Sequence, residues 1–236
     1  MIAMWVVGHA GGMSVRVVSY NVHSLRDDLG ALARVVRGLA PDVLIVQEAP
    51  RRWRWRTKCA DLAHSFGMYM AAGGMPSLGN VIMTNLRVRV LDQWCMRYPL
   101  TPGRHMRGAV FTRLQVPGRA PFAVVGTHLS TDDEERPGQA GLLKPAIDAL
   151  ADPVIVGLDL NECPDGGCWP LLTDRLLDAA ELAGQGDRGT FPVPHPTRRI
   201  DALLVDPRLE VREYRVVDTP DADRASDHYP ILVDLA

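Results

Sequence analysis

Short apolar and β-branched runs, each stopped by Gly, Pro, Asp or Asn, recur along the chain and predict strands. In the first half these are Val15–Tyr20, Val43–Gln47, Asn80–Thr84, Val88–Trp94 and Ala109–Gln115. In the second half they are Ala123–Thr127, Val154–Leu158, Ile200–Val205, Val211–Val217 and Ile231–Leu235. Fewer segments carry the three-to-four spacing of a helix. Leu29, Leu32, Val35, Val36 and Leu39 form one such stripe, ended by Pro41. Leu62, Ala63 and Phe66 form a second, closed by Gly67. A third helix is expected from about Gly138 to Leu150, with Pro145 kinking it or marking a late start, and a short fourth from Leu171, Leu172, Leu176 and Leu177.

Strands outnumber helices and do not alternate strictly with them, which argues against a doubly wound nucleotide-binding sheet. Consecutive strands, such as those around Val81 and Val90, predict antiparallel hairpins. Two mixed sheets packed face to face, with helices outside, would use this inventory. Met75-Pro76-Ser77, Thr131–Pro137 and Gly184–Pro196 read as surface loops of one domain spanning residues 13–236, preceded by an extension at 1–12.

Composition narrows the class only a little. The 236 residues, 47% hydrophobic and 23% charged, suit a globular domain with an ordinary core. A net charge of −2 supplies no whole-molecule basic field toward nucleic acid, although a local patch or a bound metal could. Cys59, Cys95, Cys163 and Cys168 lack Cys-x-x-Cys spacing and are expected as free thiols. Met1–Val7 is too short and lacks the preceding basic residues of a signal peptide, and no apolar run reaches membrane-span length, so a cytoplasmic location is expected.

The informative pattern is polar residues at the ends of apolar strands. Asn21 follows the first run, Gln47-Glu48 the second, and His128 follows Val124–Thr127; Asp159 and Asn161 follow Val154–Gly157. Asp201 stands inside an apolar strand, and Asp227-His228 precedes the last one. Each has an ordinary alternative: turn former, helix cap or hydrogen-bonded structural histidine. Asp201 is the hardest to dismiss, because a buried carboxylate without a partner costs several kcal/mol, roughly. Glu48, Asp159, Asp201 and Asp227 gathered at one sheet edge would repel each other unless protonated or held round a cation. Oxygen donors without thiolates favour Mg²⁺, with Mn²⁺ as the alternative.

In order, Ser19-Tyr20-Asn21-Val22, Val46-Gln47-Glu48, Gly79-Asn80-Val81-Ile82, Gly126-Thr127-His128-Leu129, Gly157-Leu158-Asp159-Leu160-Asn161, Arg199-Ile200-Asp201 and Ser226-Asp227-His228-Tyr229-Pro230 resemble the signature of the endonuclease/exonuclease/phosphatase family. The resemblance implies a four-layer α/β/β/α sandwich, like that of deoxyribonuclease I, and a metal-dependent phosphoester hydrolase. It implies Glu48 as principal metal ligand with Asn21 and Asp227 beside it. Asp159 would orient or deprotonate the attacking water, and Asn161 would hold it or a phosphate oxygen. Asp201 would fix His228, and His228 with His128 would bind the phosphate. Leu158 departs from the family's usual glycine. Asn80 stands where deoxyribonuclease I has a glutamate, and His128 where abasic-site endonucleases have a tyrosine, so the phosphatase and phosphodiesterase branches are nearer.

The expected substrate is a phosphate ester, more a diester than a monoester, with nucleic acid and small-molecule or lipid diesters level. No partner protein is indicated. Asn80 and Arg107 are expected to touch substrate. Arg51, Arg52, Arg54, Arg56 and Lys58, interleaved with Trp53 and Trp55, read either as a polyanion grip or as an exposed helix with one tryptophan packed inward. The rival from another class is a silent phosphate- or nucleic-acid-binding module, which typically loses a carboxylate or histidine that this chain keeps.

Overall fold

The computed structural model describes residues 14–236, so the expected extension at 1–12 lies outside the described residues. The first half runs β1 (Val15–Asn21), α1 (Leu29–Leu39), β2 (Val43–Gln47), α2 (Trp55–Phe66), β3 (Tyr69–Gly74), β4 (Asn80–Thr84), β5 (Arg89–Arg97) and β6 (Gly108–Gln115). Next come β7 (Phe122–His128), α3 (Arg136–Asp148), β8 (Val154–Asp159), α4 (Cys168–Thr173), β9 (Leu177–Asp178) and α5 (Ala179–Leu182). The chain closes with β10 (Asp201–Val205), β11 (Val211–Val216), α6 (Ala222–Ala225) and β12 (Ile231–Leu235).

The strands form two six-stranded mixed sheets, ordered β11-β12-β1-β2-β4-β3 and β5-β6-β7-β8-β10-β9. Each has one parallel pair at its middle, β1 with β2 and β7 with β8, joined through α1 and α3 respectively. A crossover helix returns the chain to the same starting edge, so both strands of each pair deliver their carboxyl ends to one rim.

Period-two alternation divides the second sheet between two apolar clusters. Val124, Ile155 and Leu203 face the first sheet, while Val125, Val156 and Leu204 face α3 and α4. The helices α1, α2 and α6 cover the outer face of the first sheet, completing four layers, α/β/β/α. Gly126 and Gly157 let the sheets approach. A Cβ on either would lie 2.7 or 2.5 Å from the Ile45 side chain of the opposite sheet.

The helix α1 begins where Asp28 accepts a hydrogen bond from the Ala31 N–H at 2.9 Å, and ends at left-handed Ala40 before Pro41. Leu32, Val35, Val36 and Leu39 are buried, but Leu29, counted in the same stripe, is exposed.

Three expectations change. The strands around Val81 and Val90 form no hairpin: both edges of β4 are taken by β2 and β3, and β5 crosses to the other sheet to pair with β6. Fully buried β4 and the mostly exposed edge strand β5 suit those different places. The expected fourth helix stops at Thr173, because Leu177 and Asp178 pair with β10. The strand β3 lacked a signal, since Ala71-Ala72-Gly73-Gly74 offers little β-branched surface.

Candidate active site

Register places the polar strand ends in a row. His128 pairs with Asp159 across β7 and β8, and Asp159 with Asp201 across β8 and β10. Neighbours in register point to the same side of a sheet, so these three side chains share a face. Asn21, at the end of β1 in the facing sheet, reaches across and donates from Nδ2 to Asp159 Oδ2 at 2.9 Å. The loop before β12 is pinned to the same rim by Ser226 Oγ donating to the Asn21 carbonyl at 2.7 Å.

His228 Nδ1–H donates to Asp201 Oδ2 at 2.8 Å, and its Nε2 lies 3.7 Å from Asp159 Oδ2. Burial alone would lower the pKa of this ring, but the Asp201 and Asp159 carboxylates outweigh it and push it up to about 10. His228 is therefore an imidazolium, its ring packed 4.8 Å from that of Phe191. His128 behaves oppositely. Burial, with the Arg107 guanidinium beside it, overrides Asp159 and pushes its pKa down to about 3. Arg107 and the Asn161 amide nitrogen, which can only donate, lie 2.9 Å from Nδ1 and 2.9 Å from Nε2 of His128, so a neutral ring accepts from one of them and not from both. Nε2 also lies 3.2 Å from Asp159 Oδ2, and the Asn161 amide nitrogen donates to Leu129 O at 3.0 Å.

Asp159, 1% exposed, accepts from Asn21 and, through Oδ1, from the Asn161 backbone N–H at 2.9 Å. Glu48 and Asn161 both hold left-handed backbones, φ 58° and 56°. That conformation costs a residue other than glycine on the order of 1 kcal/mol and concentrates at functional sites.

One oxygen or nitrogen from each of Asp159, Asp201 and His228 lies within 4.8 Å of the others, a grouping close enough to hold a metal ion. With its Nδ1–H given to Asp201, His228 also forms a charge-paired set with the two carboxylates. Glu48, Asp227 and Asn21 are the ligands expected from the sequence. Asp227 Oδ1 is buried without a hydrogen-bond partner among the described residues, as a carboxylate oxygen meant for a cation would be. All three offer oxygens, which suits a hard divalent ion.

Every expected site residue lies on this rim or lines the adjoining cleft of about 560 Å³, which includes Glu48, Asn80, Arg107 and His128. The details sharpen two expectations. Both Asn80 amide hydrogens are spent on the Ser77 and Gly108 carbonyls, at 2.8 and 2.9 Å, so its amide cannot donate to a phosphate. Of the tryptophans, half-buried Trp55 packs on the core beside Gly74, whereas Trp53 stays 80% exposed. The basic stretch is thus divided: Arg51 and Arg52 line the cleft, Arg54 and Arg56 lie over the rings of Trp53 and Trp55, and only the residues from Trp55 onward are helical. Leu158, the departure from glycine, is fully buried against the α3 and α4 side. Arg199 compensates Asp178 and Glu181 rather than Asp201.

Sequence reading missed His23 and Ser24. Ser24 Oγ donates to Glu48 Oε2 at 2.6 Å, and His23 Nε2 lies 3.6 Å from Asp227 Oδ2. Both belong to a 3₁₀ turn, His23–Leu25, whose three residues all have positive φ. No propensity scale marks such a turn; only its position after Asn21 hinted at it.

Comparison with known proteins places these observations. The model of the Endonuclease/Exonuclease/phosphatase family matches residues 18–228. No curated protein sequence matches the chain. Among solved structures, a functionally unknown conserved protein from Enterococcus faecalis aligns with TM-score 0.78 at 16% identity, over 94% of this chain and 99% of that one. A Bacteroides thetaiotaomicron mannosyl-6-phosphatase aligns with TM-score 0.75 at 18% identity, over 94% and 99%. D. rerio TDP2, complexed with single strand DNA product, aligns with TM-score 0.75 at 21% identity, over 95% and 100%.

Proposed function

Because this chain belongs to the endonuclease/exonuclease/phosphatase family, we propose that its site hydrolyses a phosphodiester with the help of a divalent cation, Mg²⁺ ahead of Mn²⁺. The observation that carries this reading is the buried row His128–Asp159–Asp201 with His228 held as an imidazolium between two of its carboxylates.

Glu48, Asp227 and Asn21 would hold the ion, which when bound neutralises charge on the phosphate. Asp159, which accepts hydrogen bonds from Asn21 Nδ2 and the Asn161 N–H, orients a water molecule for in-line attack and accepts its proton. Asn161 has its amide nitrogen occupied, so Oδ1 is the atom left to accept from that water. His228, fixed by Asp201, donates to a phosphate oxygen as charge develops there. His128, held toward its neutral form by burial and by Arg107, stands against Asp159 and Asn161 beside the phosphate position.

The neighbours that share this fold include one described as a mannosyl-6-phosphatase and another bound to a DNA product.

The test is hydrolysis of bis-p-nitrophenyl phosphate against p-nitrophenyl phosphate, with Mg²⁺, Mn²⁺ or chelator. We expect turnover of the diester that chelator abolishes, and that falls by about 10²–10⁴ in Asp159→Ala or His228→Ala with unaltered circular dichroism. Rates unchanged in both variants would refute the assignment. Binding without any turnover in the wild type would point to the silent module instead.

A further inference from the structure

We propose that the arginine-lined end of the cleft is a subsite for a second phosphate group, so that the substrate is a phosphodiester carrying another phosphate nearby. This rests on the diester reading and adds what stands beside the scissile group. A neutral substituent, or a cationic one such as a choline head group, is a poor match for it.

The cleft of about 560 Å³ is lined by His128, Arg107, Glu48, Arg26, Arg51 and Arg52 among others. That is four guanidinium groups against one carboxylate among the lining residues, in a chain whose net charge is −2. Other arginines of the protein pair with acids, Arg16 with Asp234, Arg34 with Asp221 and Arg199 with Asp178, or like Arg54 and Arg56 lie over tryptophan rings. Among the described residues, the side chains of Arg26 and Arg52 make no hydrogen bond or ion pair. Arg51 is held in place, its Nη1 donating to the Leu78 and Met106 carbonyls at 2.9 and 3.2 Å. Two backbone carbonyls position that guanidinium without neutralising it, and its remaining N–H groups stay available.

Like charges gathered along one cleft make a local positive field that an anion is drawn to. The charge of Arg51 is felt at both Arg107 and His128, where it favours the neutral forms, so this end is continuous with the hydrolytic end. Arg107 Nε is buried without a partner among the described residues, a further donor unspent. Guanidinium forks match phosphate oxygens in pairs, and this set would bind the second phosphate as a unit. The scissile diester lies at Asp159 and His228, and Glu48 stands between the two positions.

The experiment compares thymidine 5′-(p-nitrophenyl phosphate) with the same compound phosphorylated at its 3′ oxygen. In the wild type with Mg²⁺, the 3′-phosphate is expected to raise kcat/KM about tenfold or more, mainly through KM. In Arg26→Gln/Arg52→Gln that advantage should shrink to within about threefold, and added salt should erode it in the wild type. Equal rates for the two substrates in the wild type, or an advantage that survives in the double variant, overturns the proposal. Pyrophosphate binding by calorimetry in chelator provides a readout free of turnover, expected to be about tenfold weaker in the double variant than in the wild type. If neither substrate is cleaved but this difference holds, the hydrolytic reading falls and the subsite stands. Equal pyrophosphate affinities remove the subsite whatever the turnover. Both side chains are exposed, so the variants should keep the fold.

Discussion

Ser24 illustrates how a single residue can be strained and useful at once. Its φ of 55° and ψ of 23° lie in the left-handed region, flanked by His23 and Leu25 at φ 44° and 59°. In return, its hydroxyl reaches Glu48 and fixes the carboxylate proposed as the main metal ligand. Ser24→Ala removes only that hydrogen bond, and we expect about tenfold weaker Mg²⁺ binding by calorimetry, at the low end for a residue supporting a ligand because this one is exposed. Ser24→Gly removes the hydrogen bond and also relieves the backbone, so it should weaken Mg²⁺ equally while raising thermal stability by about 0.5–1 kcal/mol. Opposite signs in affinity and stability are the diagnostic result; a parallel loss of both would mean that the turn is simply structural. At this scale the sequence was partly legible. Asp201 inside an apolar strand demanded a partner, and His228 supplies it. Nothing in the neighbours of Ser24 or Asn80 marked where their side chains would point.

Strands deliver the site, and their spacing depends on what lies between the sheets. Ser19, whose hydroxyl accepts from Gln47 Nε2, and Ile45 project from the first sheet against Gly157 of β8. Gly157 is two residues before Asp159, so packing here transmits directly to the chemistry. Gly157→Ala would push a methyl to 2.5 Å from Ile45 Cδ1 and should cost about 1–3 kcal/mol by chemical denaturation. Ile45→Val deletes that Cδ1 and should restore much of the loss in the double variant, although it is itself a destabilising change in the wild-type background. Losses that simply add would show that the sheets do not meet at this point. Most elements were readable from periodicity because their apolar faces are regular. The edge strand β3 was not, since its pairing with β4 comes from backbone hydrogen bonds rather than side chains. The β4–β5 hairpin failed for the converse reason: adjacency in sequence carries no information on which strand already occupies an edge.

Across the whole molecule, the first and last described strands meet: β1 pairs with β12 over five residues, Val15–Ser19 against Leu235–Ile231. β12 lies between β11 and β1, largely buried, so the first sheet is incomplete until the final residues join it. We propose that residues 13–236 fold as one cooperative unit, as their expected domain limits imply. A chain ending at Pro230 should then show no native thermal transition, whereas the full chain gives one transition seen alike by calorimetry and near-ultraviolet circular dichroism. Two separate transitions would break the unit into parts. Net charge is equally uninformative until the chain is folded: −2 overall conceals a cleft lined by four arginines. The sequence by itself determined every strand but β3 and β9, the four-layer family resemblance and the polar strand ends, because local periodicity and residue chemistry do not depend on distant partners. Only the tertiary structure decided which sheet each strand entered, that burial lowers the pKa of His128 while two carboxylates raise that of His228, and that four arginines share one cleft. Those outcomes depend on burial and on distances between residues remote in the chain, which no local pattern encodes.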